Sequence, residues 1–324
     1  MKRCFSHMLA AGVLLAGIGF SSHSAWSGSW PERTVRITTP FGPGISPDAA
    51  ARILADALSK RWKQSVVVEN RPGGDTMVGT QAFLDARDNH GLLFTTHSTF
   101  TVVPLLRAKV PYDPVADAKP ISLVVEDYLT VAAAPVLEVS SLTDFVKVAH
   151  GRPGKLNFYA VPGAPYLVYL AFQRRAGIDT TFIAYNSPVN AISDLSEGRI
   201  HVAVMPMASV LGAAQAGKIK LLAVTNAQRT PAAPDIPTVT EAGYPELTLG
   251  GFLGLFAPKD MPTNLREQIA SDVRDILRDS DIQERLTKVG LIARGTTPAE
   301  FETVMNAQRQ KWSQIAREHN IEPQ

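Results

Sequence analysis

Along residues 35–62 the hydrophobic pattern changes period once, and the change predicts a strand followed by a helix. Val35, Arg36, Ile37, Thr38 and Thr39 form a β-branched run. After the turn Pro40-Phe41-Gly42-Pro43-Gly44-Ile45, apolar residues recur at Ala50, Ile53, Leu54, Ala57 and Leu58, the spacing of one helical face. Ser46 is the expected N-cap and Pro47 the first helical residue, where a missing N–H is harmless. Such a turn leaves N–H groups and the positive end of the helix dipole above the end of the strand, a seat for an anion. It is also what any strand-to-helix connection requires, so the stretch by itself leaves both readings open.

The same alternation continues down the chain. Residues 66–69 form a strand closed by Asn70-Arg71-Pro72-Gly73-Gly74, residues 92–95 one that ends at Thr96-His97-Ser98-Thr99, and residues 121–125 one that follows Pro111-Tyr112-Asp113-Pro114. Beyond Ser140-Ser141 a helix runs through Phe145, Val148 and Ala149 to Gly151. The opening device then recurs. The strand at 155–160 passes through Val161-Pro162-Gly163-Ala164 into Pro165, the first position of an apolar helix over 166–172. The strand at 181–184 passes through Tyr185-Asn186 into Ser187-Pro188, its helix ending near Gly198. Alternation of this kind predicts an α/β chain with parallel sheets covered by helices, whose ligands bind at the carboxyl ends of the strands. The last quarter predicts amphipathic helices over 265–277, 281–289 and 298–319, the last opened by the capping box Thr297-Pro298-Ala299-Glu300. Ile269, Val273, Leu277, Phe301, Val304 and Trp312 form their expected buried face.

Composition sharpens this picture. A chain of 324 residues, 45% hydrophobic and 19% charged, can support two domains with real cores. Lys2 and Arg3 precede an apolar run over 8–20, and Ala25-Trp26-Ser27 offers small residues at cleavage spacing, so residues 1–27 are expected to be a removable secretory signal. His23-Ser24-Ala25 is a poorer alternative cleavage site. The single cysteine, Cys4, lies in that leader, so the mature chain is expected to hold neither disulfides nor thiolate chemistry. The 32 basic against 30 acidic residues become 30 against 30 once Lys2 and Arg3 are lost, which offers no electrostatic case for nucleic acid.

Catalytic motifs are absent: there is no Gly-x-Ser-x-Gly elbow, no His-Glu-x-x-His, no Walker loop and no dinucleotide fingerprint. Of the seven histidines only His97, on a strand-end loop, and His201, inside a predicted strand, invite a catalytic reading, and neither has a paired acid at close spacing. A secreted hydrolase is therefore the weak alternative.

The motifs Pro40-Phe41 with Gly44 and Asp48, Val68-Glu69-Asn70-Arg71-Pro72-Gly73, Val110-Pro111-Tyr112-Asp113-Pro114, Gly154-Lys155-Leu156-Asn157, Leu222-Ala223-Val224-Thr225, Asp235-Ile236-Pro237-Thr238-Val239 and Gly254-Leu255-Phe256-Ala257-Pro258 carry a resemblance across the chain beyond the leader. The chain resembles the extracytoplasmic solute receptors of the tripartite tricarboxylate transporter family, the TctC-like or Bug receptors. The resemblance implies a two-domain periplasmic binding protein fold of type II. Each domain is then a mostly parallel sheet flanked by helices, with two chain crossings at the hinge, near Glu126 and Gly250. The implied divisions are a signal peptide over 1–27, a first domain from 28–126 and 250–324, and a second over 127–249. It also implies a monomeric periplasmic receptor, without cofactor or metal, that captures a small organic acid for the membrane subunits of the transporter. A sensing role, with a membrane kinase as partner, is the alternative from the same resemblance.

The family holds a ligand carboxylate by backbone N–H groups, hydroxyls and waters, and no Arg or Lys lies within 40–48, 95–99 or 160–165 here. The residues this implies are Phe41, Gly42, Gly44, Ser46 and Asp48 from the first turn, Thr96, His97, Ser98 and Thr99 from the third strand end, and Gly163, Ala164, Pro165, Tyr166, Tyr185, Asn186 and Met205 from the second domain. Asp48 either complements the helix dipole or orders a water or a ligand donor. The second domain departs from the family: Ala160-Val161-Pro162-Gly163-Ala164-Pro165 replaces a Ser-x-Gly-x-Gly-Ser/Thr loop, Val168-Tyr169 replaces His-Leu, and Ile200-His201 replaces Val-Asp. With donors lost and Tyr159, Tyr166, Tyr185, Phe41 and Phe100 near in sequence, the expected ligand is more apolar than a short dicarboxylate, an aromatic or longer-chain carboxylate. The other role open to each of these tyrosines, and singly the more ordinary one, is that of a core or rim residue.

Overall fold

The structure, a computed structural model, describes residues 30–161, 164–185, 188–230, 232–318 and 323. The expected signal segment, Gly163 and Asn186 lie outside the described residues. The chain begins with β1 (Val35–Thr39), α1 (Ser46–Trp62), β2 (Val66–Asn70), α2 (Met77–Ala86) and β3 (Gly91–Thr96). Two single-turn helices follow, α3 (Ser98–Thr101) and α4 (Val103–Leu106), and then β4 (Ala118–Asp127). Beyond Tyr128 come β5 (Leu129–Ala133), α5 (Leu142–His150), β6 (Leu156–Ala160), α6 (Ala164–Ala176), β7 (Thr180–Phe182), α7 (Pro188–Ser196), β8 (Val202–Pro206), α8 (Met207–Gln215) and β9 (Lys220–Val224). The chain closes with β10 (Gly251–Pro258), α9 (Thr263–Leu277), α10 (Ser280–Lys288), β11 (Leu291–Ala293) and α11 (Pro298–Glu318).

These strands form a six-stranded sheet, ordered β11-β4-β10-β3-β1-β2, and a five-stranded sheet, ordered β7-β6-β8-β5-β9. Two lobes result, joined where the chain passes from Asp127 to Leu129 and where it returns ahead of Gly251. The parallel pairing expected from the alternation holds within β2-β1-β3 and within β7-β6-β8. The strands that enter a lobe straight after a crossing, β5 and β10, run against both of their neighbours. The reason is geometric: a chain arriving from the facing lobe starts at the edge where the other strands end, and can only run away from it.

In the first lobe α1, α9 and α10 bury Leu54, Leu58, Ile269, Val273 and Leu286 against Ile37, Phe94 and Leu255 on one sheet face. Phe83 of α2 and Phe301 and Met305 of α11 cover the other face. Gly254 is required there, because a Cβ at that position would lie 2.1 Å from the Phe301 ring. The predicted capping box is present: Thr297 Oγ1 accepts from the Glu300 N–H at 3.2 Å and Glu300 Oε2 accepts from the Thr297 N–H at 2.8 Å. Farther along, α11 changes lobes. Trp312 is fully buried in the second-lobe core with Val239, Leu247 and Leu249, and Lys311 Nζ donates to the Thr248 carbonyl at 3.1 Å. Val304 is only partly buried.

Several local expectations are corrected. Ser46 is the first helical residue and makes no capping bond; Ile45 is the extended N-cap residue, and Pro47 follows Ser46 inside the helix. Asp48 ties down the turn in its place, as described below. His201 precedes β8 instead of lying in it, and its Nδ1 accepts from the Asn157 N–H at 2.9 Å. Helix α6 begins at Ala164, one residue before Pro165. Among the described residues no helix is long and apolar enough to cross a membrane.

Candidate ligand-binding cleft

The carboxyl ends of β1 and β3, the end of β4 and the start of β10 share one edge of the first sheet, since Thr96 pairs with Leu253 and Asp127 with Gly251. The turn after β1 rises from this edge. Gly44 adopts φ +86°, a conformation that favours glycine, and its N–H donates to Asp48 Oδ2 at 2.9 Å. Asp48 is 3% exposed and also accepts from Asn70 Nδ2 at 2.8 Å and Arg52 Nε at 3.0 Å. Asn70 Nδ2 donates in addition to the Phe41 carbonyl at 2.9 Å, and Arg52 Nη2 donates to Asn70 Oδ1. Burial pushes the Asp48 carboxyl up, but the bonds from Arg52, Gly44 and Asn70 outweigh it and hold the group below its ordinary range. Asp48 therefore fastens the turn, and its oxygens are occupied by the protein.

Fastening the turn through side chains leaves its main-chain donors unused. The N–H groups of Phe41, Gly42, Ile45, Ser46 and Asp48 meet no acceptor among the described residues. They surround the amino end of α1, where the helix dipole also favours negative charge. Phe41 is half-buried against the first-lobe core. From below, Gly79 of α2 lets the helix approach: a Cβ there would lie 2.8 Å from Pro40 and 2.6 Å from the Arg71 carbonyl.

At the end of β3, Thr96 and Ser98 are half-buried, and their hydroxyls have no partner among the described residues. Thr99 is fully buried, its hydroxyl hydrogen-bonded to Thr95 and Thr76 and its carbonyl accepting from Tyr112. His97 is likewise buried. Its ring lies 4.5 Å from that of Phe252, Nδ1 is bonded to Thr101, and burial, with Lys311 contributing, lowers its pKa to about 3. The imidazole is thus neutral and packs beneath the site instead of lining it.

Among the described residues, the second-lobe positions expected at the site pack inward. Ala164 and Pro165 are buried, and Met205 is fully enclosed beside Tyr159. Tyr166 is turned onto Phe182 and Phe158, at 4.7 and 6.3 Å. Tyr185 packs edge-on against Tyr159 at 5.6 Å, its hydroxyl bonded to Asp194. Phe100 lies between Tyr112 and Phe256. The aromatic residues near these loops in sequence therefore pack within their own lobes, the second of the two roles open to them.

Sequence reasoning missed a set of buried polar atoms along the same edge. Thr39 Oγ1, Asp127 Oδ1 and Asn226 Oδ1 are enclosed without a hydrogen-bond partner. Thr39 ends a strand that the pattern identified, and Asp127 adjoins the expected crossing, which were usable signals; Asn226 carried none. Among the described residues no group of three or more His, Cys, Asp or Glu could hold a metal ion.

Comparison with known proteins adds the following. The model of the tripartite tricarboxylate transporter family receptor matches residues 50–321. Protein BugT of Bordetella pertussis is 28% identical over 311 residues, covering 95% of this chain and 95% of BugT. The structure of Rpa4515 from R. palustris with adipate is similar at a TM-score of 0.84 and 27% identity, covering 91% of this chain and 100% of the other. MatC from Rhodopseudomonas palustris with bound malate is similar at a TM-score of 0.78 and 25% identity, covering 88% and 99%.

Proposed function

The chain belongs to the tripartite tricarboxylate transporter family of receptors, and from that premise we propose that it captures a small organic carboxylate between its lobes and delivers it to the membrane subunits of such a transporter. It is a binding protein of the periplasm and makes or breaks no covalent bond. The jaws are residues 28–126 with 250–324, and residues 127–249, the end of α11 around Trp312 packing onto the second.

One observation carries the reading: the turn after β1 is fastened by Asp48, Asn70 and Arg52, yet the N–H groups of Phe41, Gly42, Ile45, Ser46 and Asp48 meet no acceptor among the described residues. A carboxylate seated there would accept several charge-assisted bonds, each contributing roughly 1.5 to 3 kcal/mol, without a formal countercharge. Thr96 and Ser98 supply free hydroxyls beside the same edge. Structural relatives with adipate and with malate support a ligand of this class.

The ligand carries more apolar surface than a short dicarboxylate, as an aliphatic chain or an aromatic ring. The support is the composition of the facing loop, where Ala160, Val161, Ala164 and Pro165 offer no side-chain donor. Calorimetry against a panel of carboxylates tests both levels. One-to-one binding of longer-chain or aromatic acids is expected. Tight binding confined to succinate-like or citrate-like acids would overturn the apolar preference, and silence across the whole panel would overturn the receptor reading for carboxylates.

A further inference from the structure

We infer that the hinge end of the cleft holds a second recognition site, in which the Asp127 carboxylate and the Asn226 side-chain oxygen accept hydrogen bonds from an ammonium group at the far end of the bound acid. The inference rests on the carboxylate reading for the near end and specifies the ligand class as an ω-amino acid.

Both groups stand where the chain crosses between lobes, Asp127 at the end of β4 and Asn226 just after β9. They are adjacent: Asn226 Nδ2 donates to the Asp127 carbonyl at 3.2 Å. That bond uses the amide nitrogen and the main chain, and it leaves Asn226 Oδ1 and Asp127 Oδ1 enclosed with nothing to accept from. Asn226 is 6% exposed. Gly251 pairs with Asp127 across the sheet. The neighbouring cation cannot serve, because Arg294 Nη2 is bonded to Glu126 Oε2 at 2.5 Å.

Asp127 is half-buried as a residue, but its Oδ1 is enclosed with neither donor nor counterion, and a carboxylate oxygen held so is costly to keep charged. Burial alone pushes the Asp127 carboxyl up to about 7. Water could satisfy its lone pairs but would leave the charge uncompensated. An ammonium provides donors and charge together, and Asn226 Oδ1 takes a further N–H of the same group. Along the sheet edge this site lies several strands from the turn after β1, so donor and carboxylate sit at opposite ends of one elongated ligand.

The test is calorimetry with butanoate, pentanoate and hexanoate, each beside its derivative with a terminal amine and beside the dicarboxylate of equal length. At one chain length the amino acid should bind about tenfold tighter than its matched alkanoate. In Asp127→Asn that ratio should fall below about twofold. Asn226→Ser, which withdraws the amide oxygen, should lower the same ratio and serves if Asp127→Asn does not fold. If alkanoates or dicarboxylates bind while the amines bring no advantage, the ammonium site is refuted and the carboxylate reading survives. If no carboxylate binds in any form, the carboxylate reading fails and takes this inference with it. Heat from sodium or potassium chloride alone that vanishes in Asp127→Asn would reassign the site to a metal cation and overturn the proposal.

Discussion

Asp48 shows how one side chain can leave others free. By taking the Gly44 N–H and binding Asn70 and Arg52, it fixes the turn without spending the remaining main-chain donors. Replacing it with asparagine removes the charge from these bonds and is expected to cost about 1 to 3 kcal/mol in stability, with weaker carboxylate binding measured by calorimetry. The pH dependence has a definite sign. Since the folded group lies below its ordinary range, its stabilisation is complete above the unfolded value of roughly 3.9 and is lost as the pH falls through the folded value. Acid unfolding followed by circular dichroism should therefore show a shallower acid limb in Asp48→Asn than in the parent. His97 illustrates the opposite case: a residue suggestive in sequence is held neutral by burial and serves the core.

Among the elements, the strand-to-helix connections were the most legible. Periodicity alone located β1, β2, β3, β6, α9 and α11 to within a few residues, because alternating and helical spacings are local properties. The short helices α3 and α4 and the entering strand β5 were not anticipated; Leu129–Ala133 is buried throughout and apolar except at Thr130, so it carries little alternation to read. Ser46 failed as a cap because the helix begins one residue earlier than the pattern suggested: Ile45 holds the extended N-cap position and Ser46 is already helical. The contact of α2 with Pro40 was also invisible, since it depends on a glycine far along the chain. Gly79→Ala should push the first turn outward, destabilise the protein by about 1 to 3 kcal/mol and weaken ligand binding. Thermal denaturation beside calorimetry checks both, and unchanged affinity would detach α2 from the site.

At the scale of the whole molecule, α11 spans the lobes, with Phe301 and Met305 in one core and Trp312 in the other. Trp312→Ala should cost about 3 to 5 kcal/mol, read from denaturant unfolding. Closure on a ligand is expected to turn on the crossings near Tyr128 and Gly250 and to lower the radius of gyration in X-ray scattering; curves identical with and without a bound carboxylate would count against it.

The sequence by itself determined the α/β alternation, the order of most elements, the capping box of α11 and the absence of cations from the strand-end loops, because each depends on residues near one another along the chain. Only the tertiary structure decided which donors Asp48 consumes, that Tyr159, Tyr166 and Tyr185 face their own lobe, and that Asp127 and Asn226 meet at the crossing. The reason is that a polar atom's free energy depends on whether a partner lies within hydrogen-bond reach, and those partners arrive from segments that no local pattern connects.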